Sequence, residues 1–286
     1  MSKLRFMSQN QWNVITNFPE WEEQGLDASA KNRMKGHVRV FQELMPDIIG
    51  GQEVNMEMQK YLKFCCMDAG LPYTQIYGHY TPIIYRADKL ILLDTEYILY
   101  PEYVEGYDGI FNDDASKACN LGVFQDKQSG DIFIFATTHL WWKNGNDPAH
   151  KWYQAGSDQV RTMQIKLAKQ LIEKYQEKYN NCPAILAGDL NAVYHSEAIQ
   201  YAITEGNFQH AHDVAVEYAH EGEGYNLIDL HGPGKVWEKG TFYQAIDHIL
   251  IKDMPQGSVR RFDRYTPDYY LALSDHAPVF VDIEFH

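Results

Sequence analysis

Cysteine is scarce. Four stand in 286 residues, two of them the neighbours Cys65 and Cys66, which leaves neither a spaced disulfide framework nor a CxxC pair for zinc. Reduced, mostly buried thiols are expected. Long apolar runs are missing as well: nowhere do about 18 uncharged apolar residues follow one another. The opening MSKLRFMSQN has too short an apolar stretch for a signal peptide. A soluble, cytoplasmic protein with no membrane segment is therefore expected. Positive charge falls short of negative, with 25 Lys and Arg against 39 Asp and Glu and a formal net charge of −14. Attachment to duplex DNA depends on neutralising many phosphates, so this balance opposes it. It does not oppose phosphate chemistry at a local site, where a bound metal adds its own charge. The chain also lacks a basic amphipathic helix for a lipid surface, a repeat at a period of roughly 20 to 50 residues, and a linker or low-complexity block. Nothing marks a domain boundary, and 45% hydrophobic content over this length suffices for a large core. One domain over residues 1–286 is the expectation.

What is present is an alternation of helix and strand patterns. Ala30, Met34, Val38, Phe41 and Leu44 recur at the helical period, as do Val160, Met163, Leu167, Leu171 and Tyr175. A third helix is expected from Ser196, a good N-cap residue, through Ala198, Ile199 and Ala202 to Gly206. Between these patterns lie apolar runs of strand length at Leu4–Ser8, Asp47–Gln52, Thr81–Arg86, Asp131–Thr138, Ala184–Ala187, Ile246–Ile251 and Pro278–Phe285. LGVFQDKQSGDIFIFATTHL reads as two strands joined by a turn at Ser129-Gly130, which mixes antiparallel pairing into the alternation. A mixed sheet or pair of sheets covered by helices follows.

The polar residues fall at the tips of those strands. RFMSQN ends in Asn10, DIIGGQE in Glu53, IFIFATTH in His139, and AILAGDLN in Asp189 and Asn191. AIDHILI begins with Asp247, and LSDHAPVFVDI places Asp275 and His276 just before its strand. Singly, each is an ordinary turn, cap or satisfied core residue. Together, carboxylates, carboxamides and two imidazoles at the ends of separate strands are what a hydrolytic metal site needs. Glu53, Asn10 and Asp275 are hard oxygen donors that suit Mg²⁺ or Mn²⁺, ions that keep waters and bind phosphate oxygens. A zinc site would call for an HExxH-like spacing, which is absent. Alternation along the strand would put Asp189 and Asn191 on one face, one to handle a water and the other a phosphate oxygen.

In this order, SQNQWN, DIIGGQE, ATTHLWW, LAGDLNA, AIDHIL and LSDHAPV resemble the motifs of the endonuclease/exonuclease/phosphatase superfamily, from Asn10 to His276. The resemblance implies a four-layered α/β sandwich, two packed mixed sheets flanked by helices, with a divalent-metal phosphoesterase site at one edge. ATTHLWW followed by DQVRTMQ is similar to the deadenylase and nocturnin branch. Gln9, the second Gly of GGQE and His248 stand where other residue types are commoner in the family. Carried over motif by motif, Glu53 would bind the metal with Asn10 and Asp275. Asp189 would orient or deprotonate the attacking water, and Asn191 would donate its amide to the oxygen gathering charge. His139 and His276 would contact the scissile phosphate, with Asp247 fixing the tautomer of His276. Trp141 or Trp142, in the long aromatic loop before the Arg161 helix, would stack on the substrate, and Arg161 is a third candidate for substrate binding.

The expected activity is Mg²⁺- or Mn²⁺-dependent hydrolysis of a phosphoester in a small or single-stranded nucleic-acid substrate. Two alternatives stay open on the same fold: a binding module that has lost catalysis, and a phospholipid or sphingomyelin phosphodiesterase. A metal-dependent hydrolase acting on something other than phosphate is a third.

Overall fold

The computed structural model describes residues 2–13, 21, 23–218, 225–228 and 236–285. The chain opens with β1 (Ser2–Asn10), α1 (Ala30–Leu44), β2 (Ile48–Gln52), α2 (Met56–Asp68), β3 (Tyr73–Ile76) and β4 (Ile83–Arg86). It continues through β5 (Leu90–Leu99), β6 (Ala118–Asp126), β7 (Ile132–His139), α3 (Ser157–Lys178), β8 (Ala184–Asp189), α4 (Glu197–Thr204), β9 (Gln209–His210) and α5 (Ala211–Val214). The remaining elements are β10 (Glu217–Tyr218), the ribbon strands β11 (Tyr225–Ile228) and β12 (Trp237–Gly240), then β13 (Asp247–Lys252), β14 (Val259–Arg264) and β15 (Val279–Phe285). One sheet has seven strands in the order β10-β14-β15-β1-β2-β4-β3, and the other has six in the order β5-β6-β7-β8-β13-β9. Both are mixed: β1 and β2 are parallel, as are β7 and β8, while their other principal neighbours are antiparallel.

Three hydrophobic layers hold the two sheets and their helices together, and strand periodicity assigns each side chain to its layer. Phe6, Ile48, Val279 and Val281 of the first sheet meet Phe133, Phe135, Ile185 and Ile249 of the second in the central layer. Their chain neighbours Met7, Ile49 and Phe280 point the other way, onto Met34, Val38 and Phe41 of α1 and Met58 and Leu62 of α2. On the far side Ile134, Ala136, Leu186 and Leu250 pack on Ile165, Leu171 and Ile172 of α3 and Ile199 of α4. This is why the strands read as continuous apolar runs: both faces are buried, so alternation of apolar and polar residues is lost. Truncating one of the buried phenylalanines to Ala would cost about 3–5 kcal/mol.

The expected elements form with shifted ends: β1, β8 and α3 run longer than expected, whereas β2, β4, β15 and α4 are shorter. Ser29 caps α1 through its side chain, accepting from the backbone N–H of Asn32. Ser196 stands at the N-cap of α4 in extended geometry, but its hydroxyl makes no capping bond. The Ser129-Gly130 turn joins β6 to β7, with Gly130 at φ 82°. No helix among the described residues is long and apolar enough to cross a membrane. All four cysteines are free thiols, Cys65 half-buried and the others buried.

Close approach of the two sheets fixes the floor beneath the strand tips. A Cβ at Gly50 would lie 2.5 Å from the Thr137 hydroxyl of the opposite sheet, so only glycine fits there. Just above it, the Gln52 amide donates to that same hydroxyl at 2.8 Å, tying β2 to β7 through a buried polar contact.

Candidate active site

Strand register brings the tip residues together. His139 is paired with Asp189 across β7 and β8, and Asp189 with Asp247 across β8 and β13, so three functional side chains stand in one row. In the other sheet Asn10 pairs with Gln52, which sets Asn10 beside Glu53. The row and the pair face each other: Asn10 Nδ2 donates to Glu53 Oε1 at 3.2 Å and to Asp189 Oδ2 at 3.0 Å. Asn10 Oδ1 accepts from the Trp12 N–H, and the other Glu53 oxygen accepts from the Asn13 N–H at 3.1 Å. The glycine of LAGDLNA permits this packing, because a Cβ at Gly188 would lie 2.0 Å from the Thr138 carbonyl oxygen.

Above these groups opens a cleft of about 700 Å³. Glu53, His139, Asp189, Asn191, Asp275 and His276 form its floor, and Trp142 and Trp152 stand among the side chains that wall it. Four residues lining it are non-glycines in the left-handed region: Trp12 at φ 49°, Glu53 at 59°, Asp114 at 50° and Asn191 at 47°. Backbone strain of this kind costs of order 1–3 kcal/mol per residue and persists only where surrounding structure enforces it.

The left-handed Asn191 corrects the expectation from strand alternation. β8 ends at Asp189, and the chain turns there, with the Asn191 N–H donating to Asp189 Oδ1 at 2.9 Å. The turn, rather than a shared strand face, delivers both residues to the cleft. One N–H of the Asn191 amide is taken by the Leu140 carbonyl at 3.1 Å.

Burial and neighbours divide the two imidazoles. Burial alone would lower the His276 pKa, but Asp247, Asp189 and Asp275 together raise it well above the ordinary value. His276 Nδ1 is 2.8 Å from Asp247 Oδ2, which leaves its Nε2 3.8 Å from Asp189. His139 goes the other way, held well below the ordinary value by burial and then by the charge of Lys117. One imidazolium and one neutral imidazole therefore flank Asp189, whose carboxyl is pushed up to about 6, first by burial and further by the charge of Asp247. Asp247 itself is lowered, because its imidazolium partner outweighs burial.

The fit of a cation rests on the carboxylates. Asp275 Oδ1 is buried and has no hydrogen-bond partner. Burial pushes its carboxyl up to about 6, and the charge of Glu53 adds to the rise. A divalent ion would answer both the orphaned oxygen and the repulsion between carboxylates. Ligand atoms of Glu53, His139 and Asp189 lie within 4.8 Å of one another, and so do those of Asp189, Asp247 and His276. In this arrangement Asn10 hands its amide to the carboxylates and orients them.

Two of the substrate-binding candidates do not reach the cleft. Trp141 is fully buried, with its ring against Phe111 and Val160, because its neighbours Leu140 and Phe111 draw it into the core below the loop. Arg161 is 5% exposed, donates to the Trp141 and Lys143 carbonyls and pairs with Asp158, clasping the loop to α3; it lines a neighbouring recess of about 380 Å³ with Trp142, Trp152 and Asn191. Trp142 does line the cleft, with its indole N–H donating to Asp113 at 3.1 Å.

Lys117 is a cleft residue that sequence reasoning missed. It stands just before β6, only 4% exposed, with Nζ 2.9 Å from His139 Nε2. The departures at Gln9 and His248 also find reasons. Gln9 joins a buried network with His37 and Tyr270. His248 Nε2 lies 2.7 Å from the Ala192 carbonyl, while its Nδ1 faces His210 Nε2 at 2.9 Å, bracing the turn after Asn191.

The sequence pattern of the Endonuclease/Exonuclease/phosphatase family matches residues 24–276. The chain belongs to this family. An endonuclease/exonuclease/phosphatase family protein from Bacteroides thetaiotaomicron shares its fold with TM-score 0.74 and 20% identity, over 100% of this chain and 96% of that one. A mannosyl-6-phosphatase of the same organism gives 0.72 and 21% over 99% and 100%. The human nocturnin catalytic domain with bound sulfate gives 0.59 and 16% over 99% and 95%. At such identities the likeness is one of fold, the α/β architecture of two mixed sheets with flanking helices. No curated protein sequence matches the chain.

Proposed function

We propose that this family member is a Mg²⁺- or Mn²⁺-dependent phosphoester hydrolase acting on a small or single-stranded phosphorylated substrate. The observation that carries this reading is the meeting of Glu53, Asp189, Asn191, His139 and His276 on the floor of one cleft, from the tips of both sheets. Family membership supports it.

Glu53 and Asp275 would hold the cation, with Asn10 orienting Glu53. A bound divalent ion supplies Lewis-acid polarisation of a nonbridging phosphate oxygen. Asp189, raised toward neutrality, is matched to accepting a proton from the attacking water. The free N–H of Asn191 is placed to donate to oxygen as charge gathers on phosphorus, a role a carboxylate could not fill. His276, protonated and oriented by Asp247, would hold a phosphate oxygen through Nε2. Neutral His139 would sit against the same phosphate, beside Lys117. Trp142 and Trp152 offer rings for the leaving group. The exposed Asp114 on the cleft wall opposes a polyanionic duplex.

The test is phosphate or alcohol release from a panel of sugar phosphates, nucleotides, single-stranded oligonucleotides and phospholipid head groups, with Mg²⁺ and with Mn²⁺. Activity that appears with either ion and vanishes with chelator is expected. Hydrolysis of carboxylic esters or amides alone would refute the phosphate reading, and tight binding without turnover would favour the inactive module.

Asp247→Asn and His276→Ala should be strongly non-additive. An orienting carboxylate has nothing to orient once its imidazole is gone, so the double variant should lose little more than His276→Ala alone. A double-mutant cycle in kcat measures this. Losses that multiply would mean that the two residues act independently despite their 2.8 Å contact.

A further inference from the structure

Lys117 is an expensive residue to have where it is. Its ammonium is buried, and its close polar partner is the neutral His139, at 2.9 Å. Burial lowers its pKa from the ordinary lysine value, and Glu53, Asp113 and Asp189 oppose that lowering through space, none of them by a hydrogen bond to it. A buried charge without a hydrogen-bonded counter-charge is costly. The backbone is nevertheless built to keep it in place: the Asn112 side chain accepts from the Lys117 N–H at 2.9 Å and donates to the Lys117 carbonyl at 2.9 Å. The side chain lines the cleft beside the proposed reacting centre. An anion arriving in the cleft would supply the missing partner.

Charges of both signs stand around the cleft: Lys143 and Lys151 lie over the rings of Trp142 and Trp152, and two aspartates stand near Lys117 in sequence. Asp113 is held by Ser116 and by the Trp142 indole, while Asp114 stands exposed in left-handed backbone. Both line the cleft. Lys117 thus adds a cation for one phosphate among the side chains that line the cleft.

Resting on the hydrolase reading above, we propose that Lys117 contacts the substrate phosphate directly and makes the enzyme a phosphomonoesterase in preference to a phosphodiesterase. Near neutral pH a terminal monoester carries about −1.5 to −2 charges, whereas a diester carries a single negative charge. A second cation beyond the metal therefore gains more from the monoester. In the reaction, water adds to phosphorus, the bond to the leaving oxygen breaks, and the alcohol and inorganic phosphate are released. Lys117 keeps its protons throughout and acts by charge and hydrogen bonding.

The experiment compares p-nitrophenyl phosphate with bis-p-nitrophenyl phosphate in the parent protein, Lys117→Met and Lys117→Arg, with Mn²⁺ present. The parent should favour the monoester in kcat/KM. Lys117→Met should lose roughly 10- to 100-fold on the monoester, as expected for a charge-assisted hydrogen bond, and much less on the diester. Inhibition by inorganic phosphate should weaken by a similar factor, and Lys117→Arg should recover part of the preference. Thermal midpoints control for folding, and Met in place of an unpaired buried cation should leave them unchanged or higher. Equal losses on both esters with unchanged phosphate inhibition would make Lys117 a positioning residue for His139 and overturn the proposal. A parent that favours the diester would overturn the monoester assignment while leaving the hydrolase reading intact. If neither aryl ester is hydrolysed, the hydrolase reading is judged on the wider substrate panel and the Lys117 contact by binding. Calorimetric binding of inorganic phosphate then decides the contact, since unchanged affinity in Lys117→Met refutes it.

Discussion

Glu53→Gln is expected to abolish turnover at Mg²⁺ concentrations that saturate the parent, and to weaken cation binding by more than the roughly 10- to 100-fold that loss of an outer partner costs. The substitution keeps the size of the side chain and removes its charge. Glu53 follows β2 in left-handed backbone and lines the cleft together with Asp275, whose carboxyl feels its charge. Its two oxygens are steadied by Asn10 and by the Asn13 N–H. A carboxylate held this way near another whose Oδ1 has no hydrogen-bond partner makes electrostatic sense once a cation joins them. The substituted amide would also set an N–H against one of the donors from Asn10 or Asn13, so the neutral variant loses fit as well as charge. Calorimetric titration with Mn²⁺ separates the two effects from folding, and activity in excess chelator checks the requirement itself. Parent-like binding in Glu53→Gln, or full activity of the parent with chelator, would remove the metal from the mechanism.

Much of this site was legible because β-strand tips are marked in sequence. A run with both faces buried stops being apolar where it leaves the core, so Asn10, Glu53, His139 and Asp189 each stand at the visible end of an apolar run. Their spatial meeting was not legible from spacing. It depends on the parallel pairing of β7 with β8 and the antiparallel pairing of β8 with β13, which no local pattern encodes and which the family resemblance supplied. Lys117 was missed because nothing around it resembles a motif: a lysine before a strand is ordinarily a solvated one, and its burial against His139 of β7 is a tertiary contact. β5 escaped notice for a related reason. It is an edge strand with a bulge between Leu92 and Asp94, so its inward face changes along its length and Ile91, Leu93, Tyr97 and Leu99 are left exposed. α2 was missed although Asn55 caps it, because its apolar face is interrupted by Gln59 and its exposed face carries Met56, Phe64 and Met67. Trp141 and Arg161 show the converse limit. Aromatic and cationic residues near a site invite a binding role, yet here one fills the core and the other ties down the loop.

Asp189→Asn should depress kcat by roughly 10²–10⁴-fold, the range for losing general-base assistance. It should also cost stability, by about 1–3 kcal/mol, because a buried donor is left without its acceptor. Both carboxylate oxygens accept hydrogen bonds, Oδ1 from the Asn191 N–H at 2.9 Å and Oδ2 from the Asn10 amide at 3.0 Å. A carboxamide at this buried position can accept at one oxygen only, so its own NH₂ must face one of these donors and leave it unsatisfied. The two effects are separable, because the stability loss is read from the thermal midpoint while kcat is measured well below it at saturating substrate and metal. They also bear on different partners. If the new carboxamide turns its NH₂ toward Asn10, the Asn10 amide can flip only by giving up the bond from the Trp12 N–H, and cation binding will weaken through Glu53. If it turns toward Asn191, the left-handed turn loosens, and the loss falls on the donor proposed for the charged oxygen. In either case the imidazolium of His276 loses the negative charge of Asp189, though Asp247 and Asp275 still hold its proton. The large fall in kcat must therefore come from the missing base and not from a discharged histidine. Retention of kcat within a few-fold of the parent, alongside the expected drop in midpoint, would reduce Asp189 to a structural carboxylate that joins the two sheets at their tips.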